Sequence, residues 1–183
     1  MANKLGRVCQ NLIHKDQAGF VPRSLFDHTR LTHLVVDYAE KQEQNGCIIS
    51  LDQEKAYDKI DHEYLWEILE EFRFPKEFIK LIKKMYSKAK TSVMINGVMP
   101  APIKVERGVR QGDNMSCLLY NLAIEPLVTG LRASTKLKGI KITNHAKLIT
   151  KLFADDTLVY LGKNDKSSNL EDIINLFCRA STA

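Results

Sequence analysis

Apolar positions recur along this chain at the spacings of helices and of strands, and they divide it into an alternation of the two. Residues 1–23 hold only short apolar groups around Arg7, His14, Lys15 and Arg23, predict no clear helix, and end in an extended, turn-like stretch at 19–23. Ser24 and Asp27 then have capping-box spacing. Leu31, Leu34, Val35 and Tyr38 share one face of a helix predicted to reach about Gln44, with Asn45-Gly46 stopping it. The mostly apolar run Cys47-Ile48-Ile49-Ser50-Leu51 is expected as a strand buried on both faces that delivers Asp52 at its carboxyl end.

Asp61 is a good N-cap for a helix burying Leu65, Ile68, Leu69 and Phe72. Pro75 opens another helix, with Phe78, Ile79, Ile82, Met85 and Tyr86 inward. The other side of that helix carries Lys76, Lys80, Lys83, Lys84 and Lys88, either a solvated face or a track for a phosphate backbone. Strand chemistry on both sides of Asn96-Gly97 predicts a β-hairpin whose second arm runs to about Val105. Two glycines and two arginines at 107–112 precede a helix with Ser116 as N-cap and an apolar stripe of Leu118, Leu119, Leu122, Leu127 and Leu131, kinked at Pro126. Residues 139–143 form a short strand candidate, leading through Asn144 and His145 into a hairpin with Asp155 and Asp156 at its turn. Ser168 and Glu171 cap a last helix lined by Leu170, Ile173, Ile174 and Phe177.

Composition adds bounds. The 183 residues, 44% of them hydrophobic, suffice for one domain with its own core, and no repeat or linker divides them. A formal charge of +5 favours an anionic partner, nucleic acid first, although the excess of basic residues is modest. Cys9, Cys47, Cys117 and Cys178 lie far apart without a C-x-x-C pair, which argues against zinc and a disulfide framework and for reduced thiols inside a cell. The amino terminus has no signal-peptide core and no run approaches a membrane span, so a soluble protein without a membrane partner is expected.

Candidate chemistry begins at Asp155-Asp156. Two ionised carboxylates about 4 Å apart repel by about 4 kcal/mol at an effective dielectric near 20, so a site that holds them usually supplies a cation. Hard oxygen donors suit Mg²⁺, bound through one or two carboxylates plus substrate phosphates. The bland alternative is a solvated turn, where Asp is common. The loop at 107–112 is likewise either a phosphate cradle at a helix entrance or a glycine-bearing loop with exposed arginines.

Read together, three segments resemble the reverse transcriptase domain of LINE-type (non-LTR) retrotransposons. They are Ser50-Leu51-Asp52-Gln53-Glu54-Lys55-Ala56-Tyr57-Asp58, then Arg107-Gly108-Val109-Arg110-Gln111-Gly112-Asp113 with the helix after it, and Phe153-Ala154-Asp155-Asp156. Weaker similarity, including Asp16-Gln17-Ala18-Gly19-Phe20, extends over nearly the whole chain. The resemblance implies an α/β (α+β) fold: a right-hand polymerase palm with an antiparallel sheet plus partial fingers, thumb absent. The fingers would take about 1–45 and 62–106, and the palm about 46–61 and 107–183.

It further implies RNA-directed DNA polymerase activity on an RNA template and DNA primer, with dNTP as substrate and two Mg²⁺ ions, Mn²⁺ being the alternative. Asp52, Asp155 and Asp156 would be the catalytic, metal-holding carboxylates, Asp52 and Asp155 ligating the ions with Asp156 beside them. Tyr57 would gate against a ribose 2′-hydroxyl, Lys55 and Ala56 would lie where the backbone approaches the triphosphate, Gln111 and Gly112 would line the nascent base pair, and Arg110 would sit near phosphate. A nuclear location is implied by the family alone. The chain departs from the family at Asn114-Met115, where Pro-Leu is usual, and lacks the upstream Arg-Pro-Ile-Ser segment. Weak or absent polymerase activity of the isolated chain is therefore expected, a non-catalytic nucleic-acid-binding remnant of a retroelement being the alternative.

Overall fold

A computed structural model describes residues 1–143 and 146–181 of the chain. Ala2–Leu12 forms a helix, α1, where the apolar pattern predicts none. Leu5, Cys9 and Ile13 are its inward residues, and its end and the segment after it are held from a distance: the Arg23 guanidinium donates to the carbonyls of Gln10 in the last turn, of the cap residue Ile13, and of His14 and Gln17 beyond it at 2.7–3.1 Å. The second helix, α2 (Leu25–Lys41), ends earlier than predicted because Glu43 turns into the left-handed region at φ 51°; Gly46 opens the next strand instead of stopping the helix. Its buried stripe is Val35 and Ala39, whereas Leu34 and Tyr38 face solvent.

Strand β1 (Gly46–Leu51) is not buried on both faces as expected, for Gly46, Cys47 and Ser50 are exposed. The cause is its place in the sheet, which local sequence does not encode: β1 forms an edge. After it come the single turn α3 (Ala56–Lys59), then α4 (His62–Glu71) and α5 (Lys76–Ser87). Asp61 caps α4 as expected, its Oδ1 accepting from the Glu63 and Tyr64 amides. Pro75 stands just before α5 as its cap residue; Ile79, Ile82 and Tyr86 point inward, and Met85 is exposed.

The predicted hairpin exists but is sparsely paired. Only β2 (Lys90–Thr91) and β3 (Ile103–Lys104) form a ladder, and the Asn96-Gly97 tip has both φ angles positive, 49° and 80°, closed by reciprocal Ile95–Val98 hydrogen bonds. Helix α6 (Ser116–Ala133) is the buried spine, with Ser116 its first helical residue rather than its cap and Pro126 inside it. The short pair β4 (Ile140–Lys141) and β5 (Lys147–Leu148) follows; Asn144 and His145, expected to connect this region, lie outside the described residues. Last come β6 (Thr150–Phe153), β7 (Asp156–Gly162) and α7 (Ser167–Ser181), the helix beginning one residue before the expected Ser168.

The main sheet has the order β1-β7-β6, antiparallel throughout, and carries a core on each face. Val159, Leu161 and Leu152 join the large core built with α1, α4, α5 and α6. Tyr160 joins the smaller core under α2 with Val35, Ala39, Ile140 and Leu148, and its hydroxyl meets that of Thr32 at 2.5 Å. All four cysteines are free, and among the described residues no helix is long and apolar enough to cross a membrane.

Candidate active site

The two segments that carry the acidic residues meet at one end of the β1–β7 ladder. The last β1–β7 pair is Leu51 opposite Thr157, so Asp52 leaves the sheet just where β7 begins at Asp156. β6 turns into β7 through Ala154 and Asp155, between the paired Phe153 and Asp156. Asp52 and Asp155 line one cavity of about 270 Å³ together with Gln53, Glu54, Lys59 and Thr157, its other wall being the apolar side chains of Ile124 and Leu127 on α6 and Ile174 and Phe177 on α7. Asp156 does not share it. Strand alternation turns Asp156 to the α2 face, into a separate depression of about 300 Å³ with His28, Thr32, His33, Ser50 and Lys151.

Two tyrosines back this corner. The Tyr57 ring stacks on Tyr120 with centroids 4.9 Å apart and 16° between planes, while Phe20 meets it edge-on at 6.5 Å. Tyr120 donates to Gln53 Oε1 at 2.7 Å. Burial pushes the Tyr120 phenol up, and the negative charges of Asp155, Asp156 and Asp52 and the Tyr57 group push it further. The Tyr57 hydroxyl is buried beside the Cys117 thiol, and burial, Cys117 and Asp155 raise its pKa too. All three carboxylates therefore act on the same phenol, although two faces of the sheet divide them.

Lys55 is exposed in the left-handed region, φ 50°, and starts α3, whereas Ala56 behind it is buried. The glycine loop is tied to this turn through its backbone. Gly108 N–H donates to the Ile60 carbonyl at 2.7 Å, Val109 N–H to that of Tyr57 at 2.8 Å, and a His62 ring nitrogen lies 2.9 Å from the Gly108 carbonyl. Gly108, at φ +83°, lies so close that a Cβ there would meet the Tyr57 carbonyl oxygen and Asp58 Cα at 2.9 Å. Arg110, Gln111 and Gly112 themselves are exposed and do not line the Asp52–Asp155 cavity.

The turn is held by a residue to which the sequence assigns no role. Gln17 is fully buried; its Nε2 donates to the Ala154 carbonyl at 3.0 Å, and its Oε1 accepts from the Ala154 N–H at 2.9 Å and the Gly19 N–H at 2.7 Å. Ala154 needs such help, because its φ of 56° costs an alanine about 1–2 kcal/mol. The 16–18 segment also pairs with β6, Ala18 N–H to the Leu152 carbonyl at 2.9 Å and Leu152 N–H to that of Asp16 at 2.7 Å. Asn121 on α6 donates to the Gly19 carbonyl at 2.7 Å. The only sequence signal for this arrangement is the similarity at 16–20.

As a donor set, Asp52 and Asp155 are hard oxygen ligands in one cavity, which fits a divalent ion completed by phosphate oxygens. Among the described residues, no group of three or more His, Cys, Asp or Glu side chains is arranged to hold a metal unaided.

Comparison with known proteins bears on the same residues. A sequence profile described as reverse transcriptase (RNA-dependent DNA polymerase) matches residues 1–182. The chain is 34% identical over 182 residues to the transposon TX1 uncharacterized 149 kDa protein of Xenopus laevis, covering 98% of this chain and 14% of that protein. It is 31% identical over 146 residues to the Pol polyprotein from the type-2 retrotransposable element R2DM of Drosophila melanogaster, covering 79% and 13%. The chain thus spans about a seventh of these relatives. In fold it is similar to apo telomerase from Candida tropicalis truncated from its C-terminal domain, with a TM-score of 0.63 at 17% identity, over 95% of this chain and 36% of that one. Palm-type architecture, the profile spanning nearly every residue and the retrotransposon relatives agree, and the chain belongs to the reverse transcriptase (RNA-dependent DNA polymerase) family.

Proposed function

We propose that this chain is the nucleotidyl-transfer portion of a retrotransposon polymerase, adding deoxynucleotides to a primer 3′-hydroxyl on an RNA template. The observation that carries the reading is the meeting of Asp52 and Asp155, distant along the chain, in one cavity whose Gln53 accepts from the Tyr120 that stacks on Tyr57. Residues 46–61 and 107–183 would then serve as palm, and 1–45 and 62–106 as fingers. Asp52 and Asp155 are the residues that would hold divalent ions of the Mg²⁺ or Mn²⁺ type, with Asp156 contributing charge from the far face. Such ions, when bound, neutralise charge that builds on the phosphates during in-line transfer.

The chain's own groups do the rest. Tyr57, fixed by its stack on Tyr120, presents a rigid ring edge where a sugar would pass and excludes an added hydroxyl by volume. Lys55, exposed at the start of α3, offers its ammonium to phosphate, and the Ala56 backbone lies beside it. Arg110, Gln111 and Gly112 form the exposed rim that a template–primer would cover, anchored through Gly108 and Val109.

The test is templated dNTP incorporation together with Mn²⁺-dependent dNTP binding, measured on the chain and on its Asp52→Asn and Asp155→Asn variants. Incorporation by the isolated chain is expected to be weak or absent, so the ion-dependent binding carries the test: each substitution is expected to weaken it by about tenfold or more, and Asp156→Asn by less. Salt-sensitive RNA binding that survives Asp155→Asn, with no templated incorporation and no ion dependence, would instead establish a non-catalytic binding protein.

A further inference from the structure

We infer that Gln17 is a positioning residue for the Asp155 carboxylate, clamping both main-chain groups of the residue before it and so fixing the direction in which that carboxylate enters the cavity. The inference rests on the reading of Asp155 as an ion ligand. Its geometric basis does not: one buried side-chain amide engages the N–H and the C=O of Ala154 at 2.9 and 3.0 Å. The amide orientation is fixed by its surroundings, since two backbone N–H groups, of Ala154 and Gly19, converge on Oε1 and a carbonyl faces Nε2.

Three further contacts make the clamp rigid. The strap at 16–18 is hydrogen-bonded along β6, so Gln17 cannot drift along the hairpin. Gly19 packs backbone to backbone on the turn, where an added Cβ would come within 2.9 Å of Ala154 Cα. Asn121 then ties the Gly19 carbonyl to α6, so the turn is referenced to the buried spine of the molecule rather than to its own short ladder. A glutamine is required by this chemistry: glutamate of the same length lacks the donor, and methionine of similar volume lacks both functions. Outer groups that orient a ligand typically govern metal affinity by 10–100-fold.

The experiment measures Mn²⁺ binding in the presence of saturating dNTP by water-proton relaxation, in the intact chain and in Gln17→Met, Asp155→Asn and Ile82→Ala. Ile82 is buried on α5, outside the lining of the Asp52–Asp155 cavity, and serves as a control for simple loss of stability. Gln17→Met is expected to weaken Mn²⁺ binding about tenfold, while Ile82→Ala lowers the thermal midpoint at least as much and leaves ion affinity within about twofold. Unchanged affinity in Gln17→Met, or an equal loss in Ile82→Ala, overturns the positioning role. If Asp155→Asn binds Mn²⁺ as the parent does, the reading of Asp155 fails instead, which separates the two failures. Should Gln17→Met not fold, hydrogen exchange in the unaltered chain decides: Ala154 and Gly19 amides protected like those of β7 support the clamp, and fast exchange at Ala154 overturns it.

Discussion

Tyr57 carries a hydroxyl that is buried beside the Cys117 thiol without a hydrogen-bond partner among the described residues, an arrangement that costs stability. Tyr57→Phe is accordingly expected to raise unfolding stability by about 1 kcal/mol, and under the proposed gating role it would leave nucleotide selection unchanged; a drop in the urea midpoint would show that the hydroxyl has a partner. Histidines set the acid limit. Burial holds His14 and His28 below the ordinary value of 6.5, against the pull of Asp16, so both resist protonation in the folded state. The unfolded chain takes up those protons first, and stability present above pH 6.5 is lost as the pH falls through the lower folded-state values. Glu125, its carboxyl pushed up by burial against the pull of Arg132, has the opposite sign, its penalty absent below the ordinary value of 4.5 and growing as the pH rises. Removing one histidine isolates its share: His28→Asn should flatten the fall in thermal midpoint between pH 7 and 5, and an unchanged slope would contradict the assignment.

At the scale of elements, what the sequence revealed was what local chemistry decides. The Asp61 cap and the Asn96-Gly97 tip are set by a few neighbouring residues, and both appear as read. Helix α1 did leave a signal, Leu5, Cys9 and Ile13 lying four apart on one face, but the polar and basic residues between them mask it. The burial of β1 was misjudged because an apolar run cannot state whether its strand will be central or at an edge. The acidic pair at the site emerged through family resemblance, whereas the Gln17 contact, made across 137 positions, leaves no local trace. Gly108 gives this scale its own test. With φ +83° and backbone on its Cβ side, Gly108→Ala should cost about 3 kcal/mol, while Gly112→Ala, at φ +86° but in open space, should cost only about 1 kcal/mol; equal losses in urea unfolding would argue against the docking of this loop.

For the whole molecule, charges inside the fold matter more than those outside. Lys151 on β6 meets Asp16 at 2.7 Å with both side chains nearly buried, and His14 and Arg132 approach the same carboxylate at 3.0 and 3.8 Å. This cluster joins the amino-terminal strap, the sheet and α6. Lys151→Met should therefore cost about 3 kcal/mol, against less than about 0.5 kcal/mol for Lys104→Met, whose exposed pair with Glu106 is screened by solvent. Similar midpoints for the two variants would remove the cluster from any account of stability.

The division of neighbouring acids between two sides of the sheet also bears on errors of strand pairing. A slip of β7 by a single residue would bring Asp156 round to where Asp155 stands and leave an acidic group at the cavity mouth. The same slip would expel Val159 and Leu161 from the larger core and force Tyr160 into their place. Proofreading of the hairpin thus falls to the oily residues further along the strand, and the doublet at its tip is free to be acidic twice over.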